Sequence, residues 1–471
     1  DEKGKGKIVS KTPKVIDLVV KNDLCVGCGM CSYVCPTNAL TMSWNDKGFL
    51  VPVQTGNCDL DDCVCIAVCP FNPYPKESVK TENNISHIFL TDSTKEDPKI
   101  GKYLSIYAGY SDRFRLTSSS GGMGTYVLTE LLERKIVEYV FSVKEGSNTG
   151  DYYEYSISSN KRELLDSSET KYFPVSLSSV FSEIDKLEGK VAIVGVACFI
   201  KAIRLAQISD DTLNEKIPFL VGIICGGIKS SFFTDFLADS AGVKVDAISK
   251  PSYRVKDLNS SAGDYSFGCT SKIDNKINLI KMKEVGDMWG TGIFKANACD
   301  FCDDVTTELA DISLGDAWFS PYSNDGRGTN VIVTRTKIAD MIIKEGLDSG
   351  DLKLENLSLE TLIYSQQGSF NHRQLGLPFR AKKAVKDGRP VPPKRVDMSS
   401  FISIDLKIVQ YLRMKVRAKS FIAWSKSNNF NQFNAEMRTV LFLLKFFTKL
   451  NHYKRTIFSG KLLSTIKRKY G

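Results

Sequence analysis

Histidine is nearly missing from this chain: 471 residues contain only His87, His372 and His452. None sits in a recognisable catalytic or metal-ligating motif, so histidine acid–base chemistry is not expected. His372, in Asn371-His372-Arg373, is the one that merits substitution. Long apolar runs are also lacking. The longest, Thr439-Val-Leu-Phe-Leu-Leu-Lys-Phe-Phe447, falls far short of the roughly 20 residues needed to cross a bilayer. The polar, lysine-rich start from Asp1 to Lys14 has no apolar core of the secretory kind. A start at Asp1 rather than Met is expected of a trimmed chain, and a cytoplasmic setting is expected. Acidic residues are scarce at one end only. From Phe401 to Gly471, fifteen Lys or Arg face two acids, Asp405 and Glu436, so the basic excess belongs to the tail.

Cysteine is plentiful. There are thirteen, and eight fall in two clusters that each end in Cys-Pro. With nothing pointing to export, thiolate ligands in a reducing compartment are favoured over disulfides. The first cluster, Cys25-x2-Cys28-x2-Cys31-x3-Cys35-Pro36, is the bacterial ferredoxin run. A short loop presents three thiolates to three corners of one cubane, while the fourth begins a helix pointing elsewhere. Tetrahedral zinc is the competing reading.

In a two-cluster ferredoxin the fourth cysteine of each run ligates the other cluster, so Cys35 requires a second run. That run is Cys58-Asp-Leu-Asp-Asp-Cys63-Val-Cys65-Ile-Ala-Val-Cys69-Pro70. It keeps the terminal spacing and the Cys-Pro, but its loop is rearranged, with four residues between Cys58 and Cys63 and one between Cys63 and Cys65. No ligand is lost. The expected sets are Cys25, Cys28, Cys31 and Cys69 for one 4Fe-4S cluster, and Cys58, Cys63, Cys65 and Cys35 for the other. Asp59, Asp61 and Asp62 would lower the potential of the second cluster, unless they form only a solvated acidic loop.

Beyond the cysteine unit the pattern alternates. Val15 to Val20 reads as an edge strand, Ser118 to Arg134 as a helix and Ile136 to Val143 as a strand. Apolar strands follow at Val191 to Val196 and Phe219 to Cys225, with a helix at Lys201 to Gln207 between them. Strand, helix, strand predicts an α/β core with some parallel sheet. Further strands are expected at Asp264 to Cys269, Ile277 to Met282, Ile312 to Leu314 and Asn330 to Thr334, and a helix at Ile338 to Ser349. The chain divides into a leader (1–20), a ferredoxin-like unit (21–75), a linker (76–102), a body (103–388), a Pro/Lys/Arg linker (389–400) and a basic helical tail (401–471).

Within the body, Cys198 and Cys225 end strands, and Cys299-Asp-Phe-Cys302 is a lone C-x2-C. A third cluster and a pair of small buried hydrophobes are equal readings of these thiols. Leu116-Thr-Ser118-Ser119-Ser120-Gly121-Gly122 opens a helix, where amides and dipole suit a phosphate, although a Ser-capped helix is the simpler account.

Taken in order behind the ferredoxin unit, Ser118-Ser-Ser-Gly-Gly122, Lys171-Tyr172, Gly195-Val-Ala-Cys198, Cys225-Gly-Gly, Cys299-x-x-Cys302 and Asp311-Ile-Ser-Leu-Gly-Asp316-Ala-Trp318 resemble the family of coenzyme F420 hydrogenase/dehydrogenase beta subunits. (F420 names a deazaflavin coenzyme, not a residue.) The resemblance covers Lys21 to Arg395. It implies an α/β (α+β) flavin-binding core behind a bacterial-ferredoxin-like domain, with FAD on the Ser118, Ser119, Ser120, Gly121, Gly122 turn. It also implies a third 4Fe-4S cluster on Cys198, Cys225, Cys299 and Cys302, and Lys171 as the cation beside the flavin. An exposed lysine next to a buried Tyr172 is the plainer reading of Lys171. Asp316 and Trp318 read as sheet-end structure. Two departures stand out: the family's Gly-Thr-Pro-Cys-Gln is Gly195-Val-Ala-Cys198-Phe199 here, and its Cys-His-Gly is Cys225-Gly-Gly. If Cys225 is structural, Cys269 is the substitute ligand.

The functional expectation is an iron-sulfur flavoprotein oxidoreductase acting on an organic substrate, with a sugar or lipid-linked glycan precursor as one candidate. The alternative is an electron-transfer subunit that uses coenzyme F420 within a larger complex, and a third reading is a non-catalytic iron-sulfur sensor. For the tail, a membrane-surface contact at the inner face comes first, an electron-donor or other protein partner next, and nucleic acid last.

Overall fold

The computed structural model describes residues 11–58, 64–146 and 151–458. Near its start, the stretch expected as an edge strand is instead helical, with Ile16–Val20 forming a π-helical turn. Val15 and Val19, four apart, are both buried, so the β-branched residues serve one helix face rather than one side of a strand. The cysteine unit holds an antiparallel hairpin, Leu40–Trp44 with Leu50–Gln54, and two single-turn helices, Met30–Tyr33 and Val64–Ala67. Residues 59–63 lie outside the described residues, so the expectations for Cys63, Asp59, Asp61 and Asp62 do as well.

Residues 76–102 carry structure rather than a bare tether. Helix α1 (Glu82–Phe89) starts with a reciprocal Thr81/Asn84 cap, and Ile85, Leu90 and Ile100 are fully buried. Glu82 meets Lys201 at 2.9 Å, both side chains being buried. Removing one partner from such a pair costs about 3–5 kcal/mol, because the other charge is left uncompensated.

The body is built on one sheet of eight strands: β1 (Ser105–Ser111), β2 (Tyr139–Glu145), β3 (Tyr153–Ser158), β4 (Val191–Val196), β5 (Phe219–Ile223), β6 (Ile312–Asp316), β7 (Asn330–Thr334) and β8 (Leu352–Asn356). Their order is β8-β1-β7-β6-β5-β4-β2-β3. The central β2, β4, β5 and β6 run parallel, and the flanking pairs are antiparallel. Near-continuous apolar runs such as Val191-Ala-Ile-Val mark strands covered on both faces. Ala192 and Val221 pack beneath helices α2 (Met123–Glu133) and α5 (Lys337–Asp348). Their neighbours Ile193 and Leu220 face helix α3 (Ala197–Ser209) and the cysteine unit. That unit is therefore packed directly on the sheet that carries Cys198 and Cys225. A smaller sheet, Ile248–Val255, Ser266–Ser271 and Ile277–Lys281, stands beside helix α4 (Ser231–Ser240).

The tail forms two long helices, α6 (Ile404–Ser427) and α7 (Phe430–Phe458), joined at Asn428 in the left-handed conformation. It is docked rather than free. Trp424 and Phe433 insert against Phe236 of α4 and Phe294, with ring centroids 4.8–6.1 Å apart. Ser420 Oγ accepts the Phe294 N–H at 3.1 Å. The Pro-rich link is also pinned, Arg395 donating to the buried Glu308 at 2.7 Å. What stays outside is a stripe of α7 where Phe442, Phe446 and Tyr453 are exposed beside Arg438, Lys445 and Lys449. No helix among the described residues is long and apolar enough to cross a membrane.

Candidate functional site

Two glycines shape the first cysteine loop. Gly27 and Gly29 take φ of +76° and +80°, and a Cβ on Gly29 would fall 2.1 Å from Ser176 Oγ. The loop gathers thiols: Cys31 is pushed well above its ordinary pKa by burial, then by Cys28, Cys25 and Cys69, and least by Cys65. Cys69 responds to burial, then Cys28, Cys25 and Cys65. Cys35 and Cys58 pack together against Ala39, away from that group, and the Ala39 N–H donates to Cys35 Sγ at 3.3 Å. Cys35 and Cys58 thus stand apart from Cys25, Cys28, Cys31 and Cys69, while Cys65 acts on Cys31 and Cys69.

The four dispersed thiols meet at the ends of the sheet strands. Cys198 lies in the first turn of α3, Cys225 follows β5, Cys299 lies within the short turn Asn297–Phe301 and Cys302 follows it. Burial raises the Cys198 thiol first, then Cys299, Cys225 and Cys302, and last Cys28 of the N-terminal loop. Backbone N–H groups of Gly227 and Ile228 donate to Cys225 and Cys299 Sγ, each at 3.2 Å. Cys299 is buried and Cys198, Cys225 and Cys302 are half-buried; thiols gathered in this way are unfavourable as bare thiolates, and a bound cation offsets that by holding them deprotonated. Among the described residues no three such groups are tight enough for a single ion, whereas a cubane spreads its ligands over four corners. The donor set fits a 4Fe-4S cluster. Cys269 is elsewhere, buried in the smaller sheet with no thiol acting on it, which corrects its standing as a substitute ligand.

A cavity of about 1320 Å³ opens beside this group and is lined by Cys225, Lys171, Ser118, Ser119, Ser120 and Gly122. Gly122, at φ +79°, is the N-cap of α2 and has no capping side chain of its own; the first helical N–H, of Met123, donates to Asn330 Oδ1 at 3.2 Å, and Gly124 and Thr125 of the first turn line the cavity. Gly121 is not part of the lining; the space of its missing Cβ is taken by Asn330 and Gly109 O, at 2.8 Å. The turn is tied from behind by Lys256, whose Nζ donates to the carbonyls of Arg115, Ser120 and Arg327 at 2.5–2.8 Å. Ser119 Oγ accepts the Thr170 N–H at 2.8 Å, which brings the Lys171 segment onto the turn. Burial lowers Lys171 to about 8, and its Nζ bonds Ser167 O at 3.0 Å. The volume exceeds that of a drug-sized pocket, roughly 300–1,000 Å³, and with the glycine turn it suits a dinucleotide.

Several site residues were not signalled by the sequence. Arg254 pairs with Asp316 at 2.7 Å, both line the cavity, and Arg254 Nε has no partner among the described residues. Arg373 donates to Cys302 Sγ at 3.5 Å and to the Asp304 carbonyl at 2.6 Å, and also reaches the Cys225 carbonyl. It places a cation against the third thiol group. Its neighbour His372 is held well below the ordinary imidazole value by burial and by Lys295, Arg380, Arg413 and Arg373, so it is neutral and serves as a spacer among cations. The only advance hint was Asn371-His372-Arg373 itself, where the arginine rather than the histidine reaches the thiols.

Two family models described as "Coenzyme F420 hydrogenase/dehydrogenase, beta subunit" match the body, the N-terminal one over residues 106–182 and the C-terminal one over residues 188–360. Residues 18–41 match a "4Fe-4S binding domain". A subunit of the F(420)H(2) dehydrogenase of Methanosarcina mazei is 23% identical over 329 residues, covering 66% of this chain and 81% of that protein. The beta subunit of the coenzyme F420 hydrogenase of Methanococcus voltae is 27% identical over 270 residues, covering 52% and 86% respectively. A chain of the solved F420-reducing NiFe hydrogenase complex from Methanosarcina barkeri aligns with a TM-score of 0.49 at 20% identity, over 64% of this chain and 99% of that one.

Proposed function

The chain belongs to the family of coenzyme F420 hydrogenase/dehydrogenase beta subunits, and from that premise we propose that it is an iron-sulfur electron-transfer oxidoreductase subunit with FAD in its cavity. Its substrate is a two-electron organic carrier of the deazaflavin kind. The names of the relatives favour this reading over a glycan-precursor reductase, for which no observation speaks. One arrangement carries the proposal: within the third thiol group, Cys198 lies in charge range of Cys28 of the ferredoxin loop, while Cys225 lines the cavity.

Iron-sulfur clusters, when bound, move single electrons, and a flavin couples them to two-electron chemistry. The residues supply the rest. Cys25, Cys28, Cys31 and Cys69, with Cys35, Cys58, Cys63 and Cys65, hold the two N-terminal clusters; Cys198, Cys225, Cys299 and Cys302 hold the third. The Ser118–Gly122 turn and the start of α2 receive the flavin's phosphates, and Lys171 stands as the nearby cation. Arg373 keeps positive charge against the third cluster. The exposed Phe442, Phe446, Lys445 and Lys449 stripe of α7 is the surface for a protein partner; peripheral membrane contact is its rival.

The test is the iron and flavin content of anaerobically purified protein, with visible spectra before and after dithionite. One FAD and about twelve irons, the sum of three cubanes, are expected. About eight irons without flavin would sink the proposal.

A further inference from the structure

The tail builds one wall of the cavity that Cys225 and the Ser118 turn line: Gln410 and Arg413 of α6, and Thr448 and Asn451 of α7, face it. The family matches end at residue 360, so this wall is added to the matched body. Gln410 is fully buried, and its Oε1 accepts from Arg380. Its Nε2 has no partner among the described residues, and neither has Arg413 Nε. The two donors are three residues apart on α6, on one face of the helix. Arg413 donates through its Nη1 to His372 Nδ1 at 3.2 Å, and among the described residues it makes no ion pair with a carboxylate. Asp287 acts on it only from a distance. Arg380, Lys295 and His372, which share its surroundings, are cationic or neutral. The buried acid nearby, Asp300, is already shared by Lys295, Arg417 and His372.

Buried donors are ordinarily matched; these two atoms sit behind the cavity surface, and Arg413, a cation that lines the cavity with no carboxylate paired to it among the described residues, calls for an acceptor from outside the chain. We propose that Arg413 and Gln410 form a subsite for the anionic group, phosphate or carboxylate, of the organic substrate that enters this cavity. The inference rests on the reading of the cavity as the redox site and adds what that reading leaves open, which end of the substrate the tail recognises. The hairpin thereby acts as a specificity element on a body shared across the family.

The experiment uses the full chain purified anaerobically with its cofactors. Calorimetric titrations with inorganic pyrophosphate and, separately, with citrate are run on the native protein, on Arg413→Met and on Gln410→Leu. Saturable binding of at least one probe is expected, weakened about tenfold or more by Arg413→Met, as suits loss of a charged hydrogen bond. Gln410→Leu should weaken it about threefold, and iron and flavin content should stay unchanged in both. The probe that binds identifies the phosphate or the carboxylate chemistry. Binding of neither probe by the native protein, or equal binding by both variants, overturns the subsite. Should Arg413→Met fail to fold, Gln410→Leu alone decides. Native protein without flavin would defeat the functional reading, while the comparison of native with variant binding would still decide the subsite.

Discussion

The ferredoxin loop and the third thiol group are two solutions to the same problem. In the first, Cys25, Cys28 and Cys31 are brought together by a few residues of chain and two glycines of positive φ. In the second, Cys198, Cys225, Cys299 and Cys302 are brought together by parallel strands, a helix start and a turn braced by the tail. The local solution depends on loop chemistry, and the distributed one depends on the whole fold being in place.

The sharpest test of that contrast removes one ligand from each. Cys28→Ser and Cys299→Ser should each cost about four irons, measured by iron analysis and electron paramagnetic resonance of the reduced protein. Only Cys299→Ser should also disturb flavin retention, since its group borders the cavity. Cys269→Ser serves as the control and should leave iron content unchanged. Equal flavin loss in Cys28→Ser would erase the distinction.

A second test attacks the brace. Arg417 pairs with the buried Asp300 between the third group's two turn cysteines, and Arg417→Leu should cost about 3 kcal/mol. Thermal bleaching should then show one set of iron-sulfur absorbance lost at a lower temperature while the remainder keeps its original midpoint. A uniform shift of all the absorbance would mean that the brace supports the molecule as a whole.

The smallest effect concerns Lys171. Burial lowers its pKa from the usual lysine value to about 8, so the ammonium is present below that pH and lost above it. Retention of an anionic flavin should weaken by roughly fivefold, about 1 kcal/mol, as pH rises through 8. Lys171→Met should bind less tightly at pH 7 and show a flat profile. A profile unchanged by the substitution would assign the titration to another group, Lys256 being the next candidate because burial brings it also to about 8.

How far the sequence could be read follows the same division. Strands β4 and β7 were legible to the residue, because uninterrupted apolar runs belong to doubly covered strands. Strand β1 was missed: Ser105-Ile-Tyr-Ala-Gly-Tyr-Ser111 mixes small and polar residues that only its neighbours β7 and β8 make into a buried strand. Val15 to Val20 is helical rather than the expected edge strand, because the four-residue spacing of the buried Val15 and Val19 prevails over the β-branched content of the stretch. The first ferredoxin run was legible from spacing alone, whereas the gathering of Cys198, Cys225, Cys299 and Cys302 was expected only through family resemblance, since they span more than a hundred positions. Arg254, Arg373 and Arg413 carried no local signal, because a cation's role here depends on which distant carbonyl, thiol or acid the fold sets beside it. The tail's charge was legible, but its docking was not: Trp424 and Phe433 show their purpose only against Phe236 and Phe294.

The contact between Arg417 and Asp300 spans 117 positions, and this bears on how the protein is made. A nascent chain that has emerged as far as Cys302 already holds every cysteine of all three groups, yet none of the helix that steadies the turn between Cys299 and Cys302. The ferredoxin unit can close early in synthesis; the third group gains its full support only after α6 has also been made.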